Sequence, residues 1–128
     1  MARADTRTLG LNAEQDAARY LEGLGVTIID RNFRCRLGEI DIIAFDEHCL
    51  VFVEVRYRSS GAYSRACDSV DRHKQRKLVR TAALFLAKRP RYADCATRFD
   101  VVGINADSDG ETTVEWIRDA FRPGDSQL

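Results

Sequence analysis

Apolar residues recur every three or four positions in two stretches of the chain and every second position in most of the rest. "LNAEQDAARYLEGLG" (11–25) is of the first kind, with Ala13, Ala17, Leu21 and Leu24 on one helical face. Asn12 is placed as its N-cap, Gln15 completes a capping box, and Gly25 supplies the stop. "VTIIDRNFRC", "EIDIIAFD" and "CLVFVEVRYR" predict three strands, the last two joined at "DEHC". "DRHKQRKLVRTAALFLAKR" predicts a second helix, capped by Asp71 and ended by Pro90, with Leu78, Val79, Ala82, Phe85 and Leu86 on one face. The stretch before it, "SSGAYSRACDSVD", has no period and reads as a loop. "RFDVVGI" and "TTVEWIRDAF" predict two further strands around a Gly/Asp/Ser turn. The order α-β-β-β-α-β-β implies an α/β fold, a mixed central sheet of about five strands flanked by helices. At 128 residues this is one domain, expected over 1–119, with 120–128 as a loose tail.

The strands break their own pattern. Glu39, Asp41, Glu54 and Arg56 stand where a sheet core normally carries Val, Ile or Thr. If the turn between the second and third strands is Glu47-His48, opposed residues sum to 95, which sets Asp41 against Glu54 and Glu39 against Arg56. Side chains alternate faces, so all four project together, on the face that also carries Ile43, Phe45, Leu50 and Phe52. Two opposed carboxylates, with Cβ atoms roughly 5 Å apart, repel unless a proton or cation sits between them. A divalent metal with oxygen ligands fits that requirement. A three-residue loop would send Asp41 and Glu54 to opposite faces. The plainer alternative is a solvated sheet face with a Glu39–Arg56 ion pair. Two helical residues are candidates to join the cluster. Glu14 shares a face with Ala17, Ala18 and Leu21, although an acid in a first turn also suits the helix dipole. Gln75 opens the stripe of Leu78, Val79 and Ala82, or is solvated.

Charge sharpens this picture. Net charge is zero, yet between Arg56 and Arg98 twelve Lys/Arg face three acids, a local excess of +9. A basic middle attracts polyanions despite a neutral total, unless it is only a solvated helix face. With 45% hydrophobic and 31% charged residues, the composition is that of a soluble globular chain. No apolar run approaches the ~20 residues of a membrane span, and the start has no segment of signal-peptide length. Cys35, Cys49, Cys67 and Cys95 form no C-x-x-C pair, which excludes a zinc ribbon and a compact disulfide framework. Four reduced cysteines in a cytoplasmic protein are expected. His48 and His73 read as turn and solvated helix residues, Trp116 as filling.

The ordered series "RNFRCRLGE", "GEIDIIAFD", "LVFVEVRYRSSG", "KQRKL" and "RFDVV" resembles the YraN-like family of small bacterial proteins, from about Leu11 to Trp116. That family looks like a minimal member of the PD-(D/E)xK nuclease superfamily, similar to Holliday-junction resolvases. The resemblance implies a restriction-endonuclease-like core and a Mg²⁺-dependent (or Mn²⁺-dependent) endonuclease acting on structured or branched DNA. Carried over by position, Glu14 matches the helix-borne acid, Asp41 and Glu54 the metal-binding acids, and Gln75 a polar residue on the following helix. Val55 is the variable position, its backbone carbonyl an extra metal ligand. Arg56 departs from the pattern, which has lysine there, and arginine cannot serve as a base. Arg58, Arg65, Lys74, Arg76, Lys77 and Arg80 are expected to grip DNA phosphates, with Lys74 and Lys77 also candidates to replace the missing lysine. Resolvase analogues act as two-fold dimers, although no dimer stripe is identifiable. One rival reading is a catalytically inactive nucleic-acid-binding adaptor in DNA repair, recombination or uptake. Another is an assembly partner whose basic helix docks an acidic protein.

Overall fold

A computed structural model describes residues 6–58 and 70–123, with side chains from residue 13 onward. Of the loop expected over 59–71, residues 59–69, with Arg65 and Cys67, lie outside the described residues, as do tail residues 124–128. Among the described residues no helix is long and apolar enough to cross a membrane.

The elements follow the expected order: α1 (Thr6–Gly23), β1 (Thr27–Cys35), β2 (Gly38–Asp46), β3 (Cys49–Arg58), α2 (Arg72–Lys88), β4 (Ala96–Ala106) and β5 (Thr112–Phe121). They build one five-stranded sheet in the order β1-β2-β3-β4-β5. β3 and β4 pair in parallel and the other neighbours are antiparallel. A parallel pair needs a long crossover, which α2 supplies.

α1 starts earlier than its cap signal suggests. Thr6 opens it, so Asn12 lies within the helix rather than capping it. Ala13, Ala17 and Leu21 are buried as expected and Ala18 joins them, but Leu24 is 56% exposed because the helix has already ended. The stop is a Schellman arrangement. Gly25 adopts φ 90°, its N–H donates to the Glu22 carbonyl, and the N–H of Val26 donates to that of Leu21. Val26 and Leu21 then pack in the same cluster. α2 is capped as its sequence implies, the Asp71 carboxylate accepting the Lys74 N–H at 2.8 Å. Pro90 opens the 3-10 turn that follows.

Each sheet face carries one apolar layer. α1 covers Ile42, Ala44, Val51, Val53, Val102 and Ile104. α2 covers Ile43, Leu50, Phe52, Phe99 and Val101 with Leu78, Ala82 and Phe85. Phe85, fully buried, meets Phe33 and Phe52 edge-on. β5 runs past the expected 119/120 boundary because Phe121 stacks on Phe99 at 5.0 Å.

The pleat of β2 fails at one place. Ile40 and Ile42 share parity, yet Ile40 packs in the α2 layer and Ile42 in the α1 layer. Opposite them in β1, Asn32 takes the left-handed conformation at φ 56°. The ladder between β2 and β3 also ends here, at Ile42 and Val53. The next residue of β2 is Asp41.

Candidate functional site

The β2–β3 connection is Glu47 and His48, with φ of 47° and 72°, the left-handed pair of a two-residue hairpin turn. Opposed residues therefore sum to 95, as in Ile42 with Val53 and Asp46 with Cys49. Asp41 and Glu54 are the residues next beyond that ladder, and their carboxyls lie close enough for each to perturb the other's proton affinity. Asp41 Oδ2 also accepts the Val55 N–H at 2.8 Å, which fixes its rotamer.

Glu54 is 6% exposed, and its Oε2 is buried without a hydrogen-bond partner. Two cations approach without closing on it: Lys74 Nζ stands 3.9 Å from Oε2, and Arg56 Nε 4.0 Å from Oε1. Burial, then the Asp41 charge, pushes the Glu54 carboxyl up from 4.5 to about 8, against the pull of Lys74 and Arg56. Burial likewise raises Asp41, against the Val55 N–H. One proton shared by the pair is what two carboxyls in a sheet interior require when no other cation lies between them.

Glu14 reaches the same region from α1. It is 9% exposed, and burial, reinforced by Asp41 and Glu39, raises it from 4.5 to about 7. It does not complete a three-acid cage: among the described residues no three His, Cys, Asp or Glu side chains come together as a set able to hold one ion. Its partner is instead Asn32, whose amide nitrogen, turned toward the carboxylate, donates to the two Glu14 oxygens at 2.6 and 3.2 Å. Asn32 reaches back because of its left-handed backbone, which Asn tolerates better than most residues. Sequence reasoning missed this residue; its signal was a single Asn inside a β-branched and aromatic run.

Glu39 pairs with Arg34 of β1, to which it is directly registered, rather than with Arg56. Gln75 donates to the Val70 carbonyl at 3.0 Å, tethering the chain just ahead of α2, and the structure shows no contact between it and the acid pair. The basic residues separate into groups. Arg56 and Arg58 extend along β3, each with a buried, unpartnered Nε. Lys74 and Lys77 face the β1–β2 turn. At 100° per residue Lys74, Lys77, Arg80 and Arg76 follow one another round α2 at steps of roughly 60°, 60° and 40°, a single arc of which Lys74 and Lys77 form the edge nearest the β1–β2 turn.

A second polar cluster, also missed, lies at the far end of the sheet. Asp100 is 1% exposed and accepts from Arg98, Trp116 Nε1 (2.8 Å) and the Asp119 N–H (2.9 Å), while Arg98 also reaches Asp46 at 2.8 Å. Every partner is satisfied, which marks it as a structural tie between the β2–β3 hairpin and edge strand β5.

The donor set at Asp41 and Glu54 suits a small hard cation. It offers two carboxylates, one with an orphaned buried oxygen, and Mg²⁺ is commonly held by one or two carboxylates and its own waters.

The model of the Uncharacterised protein family UPF0102 matches residues 13–104. The chain is 46% identical to a UPF0102 protein of Alcanivorax borkumensis over 115 residues, covering 90% of this chain and 92% of that protein. A UPF0102 protein of Halorhodospira halophila is 49% identical over 120 residues (94% and 92%), and one of Nitrosococcus oceani 43% over 122 (95% and 98%). The matched span holds Glu14, Asn32, Asp41, Glu54 and Lys74, and on both criteria the chain belongs to the UPF0102, or YraN-like, family.

Proposed function

We propose that the chain is a metal-dependent phosphodiesterase of nucleic acid centred on Asp41 and Glu54. The observation that carries this reading is the buried carboxyl pair with its uncompensated Glu54 oxygen, flanked by Lys74 and Arg56. A composition chosen for stability alone would not place two acids against each other inside a sheet. Asp41 and Glu54 would hold Mg²⁺ or Mn²⁺, with the Val55 carbonyl as an added oxygen. The ion, when bound, supplies Lewis-acid polarisation of the phosphate and a water of lowered pKa.

The chain's own groups do the rest. The Val55 N–H holds Asp41 in place, and Asn32 holds Glu14 behind it. Lys74 and Arg56 neutralise charge that develops on the phosphate oxygens. A single well-placed donor of this kind contributes about 10²–10³ in rate. Lys74, approaching from α2, supports the enzyme reading because it brings an ammonium to the second acid where β3 carries arginine. The family resemblance favours structured or branched DNA, and nothing in the basic residues suggests base readout, so selectivity would come from shape.

The test uses end-labelled four-way-junction, flap and duplex DNA with Mg²⁺, Mn²⁺ or EDTA. Metal-dependent cleavage that Asp41→Asn abolishes is expected, with Arg56→Lys cleaving faster. Salt-sensitive binding without cleavage, in Arg56→Lys as well, would sink the enzyme. That outcome belongs to the second reading, a strand-binding adaptor, which Arg56 itself favours.

A further inference from the structure

Between the β1–β2 turn and the first half of α2 the surface falls into a cleft of about 370 Å³, lined by Arg34, Cys35, Gly38, Glu39, Lys74 and Lys77. It exists because the turn comes very close to the helix. A Cβ on Gly38 would stand 3.0 Å from Thr81 Oγ1 and 3.8 Å from Lys77 Cβ, and the backbone there has φ 155°. The cleft faces three cations and one acid, and that acid is already engaged by Arg34. Its volume equals about twelve waters of liquid, enough for a phosphate with its sugar. The lining offers no amide or aromatic side chain that could read a base. Lys74 belongs to both places, lining the cleft while its Nζ stands 3.9 Å from the orphaned Glu54 oxygen.

We propose that this cleft is a phosphate subsite, seating the strand phosphate next to the one held at Asp41 and Glu54. The ligand's class rests on the phosphodiesterase reading; the subsite itself rests on the cleft. A chain with this subsite requires a substrate that continues beyond the reacting phosphate, and takes hold of it through its backbone in any sequence.

Cys35 reports occupancy. It is a free, part-exposed thiol in the cleft wall that accepts the Leu37 N–H at 3.4 Å; burial pushes it up, but the N–H groups of Leu37 and Gly38 and nearby Lys88 outweigh burial and hold it below its ordinary value. The experiment follows iodoacetamide labelling of Cys35 by peptide mass spectrometry in EDTA, with and without a twelve-nucleotide single-stranded DNA. Binding is measured in parallel by fluorescence anisotropy over a salt series. Saturating DNA is expected to slow Cys35 labelling roughly fivefold or more and leave Cys95 unchanged. The Arg34→Ala, Lys77→Ala double variant, checked for native circular dichroism, should lose that protection. Its salt slope should fall by about 0.7, for the one phosphate contact removed. DNA that binds while Cys35 labels at its free rate overturns the subsite, and so does an unchanged slope in the double variant. Metal-dependent cleavage with Cys35 unprotected would leave the nuclease standing without the subsite. Protection with no cleavage in any metal would leave the subsite without the nuclease. No binding of this strand at low salt would overturn the subsite, and the junction, flap and duplex assays then decide the nuclease separately.

Discussion

Replacing Glu54 by glutamine should flatten the stability of the metal-free protein across neutral pH. In the folded chain the Glu54 carboxyl titrates at about 8 instead of 4.5, first because it is buried and second because Asp41 faces it. Below pH 4.5 both folded and unfolded chains carry the proton, and the site has no effect on stability. Between 4.5 and 8 the unfolded chain has released its proton while the folded chain still binds one, so stability falls as pH rises, and the loss is complete above 8. At 1.36 kcal/mol per unit the ceiling is on the order of 5 kcal/mol. Because Asp41 shares the proton and Lys74 partly offsets the charge, a working figure is roughly half of that, about 2–3 kcal/mol. Urea unfolding in EDTA at pH 5, 6.5 and 8 measures it directly. Glu54→Gln is expected to lose about 2–3 kcal/mol less than the wild type over that interval, with Glu14 at about 7 supplying the slope that remains in both. Mg²⁺ at pH 8 should restore stability to the wild type and much less to the variant. A wild type whose stability is flat or rises from pH 5 to 8, or a variant that follows it point for point, would refute the shared-proton account.

Two further substitutions test the frame around the site. Asp100→Ala strands the Trp116 and Asp119 N–H groups and three of Arg98's four hydrogen bonds, and should cost about 3–5 kcal/mol in chemical unfolding. A loss under about 1 kcal/mol would mean that the cluster is no structural tie. Gly38→Ala pushes a methyl against Thr81 Oγ1, which is pinned by its 2.8 Å bond to the Lys77 carbonyl. It should destabilise by about 1–3 kcal/mol and lift the turn off α2, read as faster hydrogen exchange at Leu37 and Gly38.

The hairpin was legible because its geometry is arithmetic. A two-residue turn and period-two strands leave one register, observed from Asp46–Cys49 up to Ile42–Val53, and Asp41 and Glu54 are the residues next beyond it. The cap at Asp71, the stop at Gly25 and the face of α2 were legible for a similar reason, each depending on residues within one or two turns. What could not be read depends on the meeting of distant segments. Asn32 becomes a partner of Glu14 only because its left-handed backbone brings its amide to a carboxylate carried by α1. The loss of pleat between Ile40 and Ile42 leaves no mark in an alternating string, since both are isoleucine. Glu39 chose Arg34 over Arg56 because β1, unlike β3, is directly registered to it at that point. Asp100 looked like one more strand acid until Arg98, Trp116 and the Asp119 backbone closed around it.

The single parallel pairing divides the molecule in time as well as in space. β1, β2 and β3 are joined by two-residue turns, and β4 and β5 by a short one, so each group can close within about microseconds. Bringing β4 to β3 means closing the chain between Cys49 and Ala96, a separation of 47 residues, and loop entropy makes that the late step. Asp41 and Glu54 belong to the early group, whereas Lys74 arrives with α2 and the late one. The acids would thus meet before their countercharge does, in a nascent hairpin still open to water, where both can remain ionised. Their burial would then fall at the folding barrier, so that acid, or a divalent ion, should speed the refolding of this chain and not merely stabilise its end state.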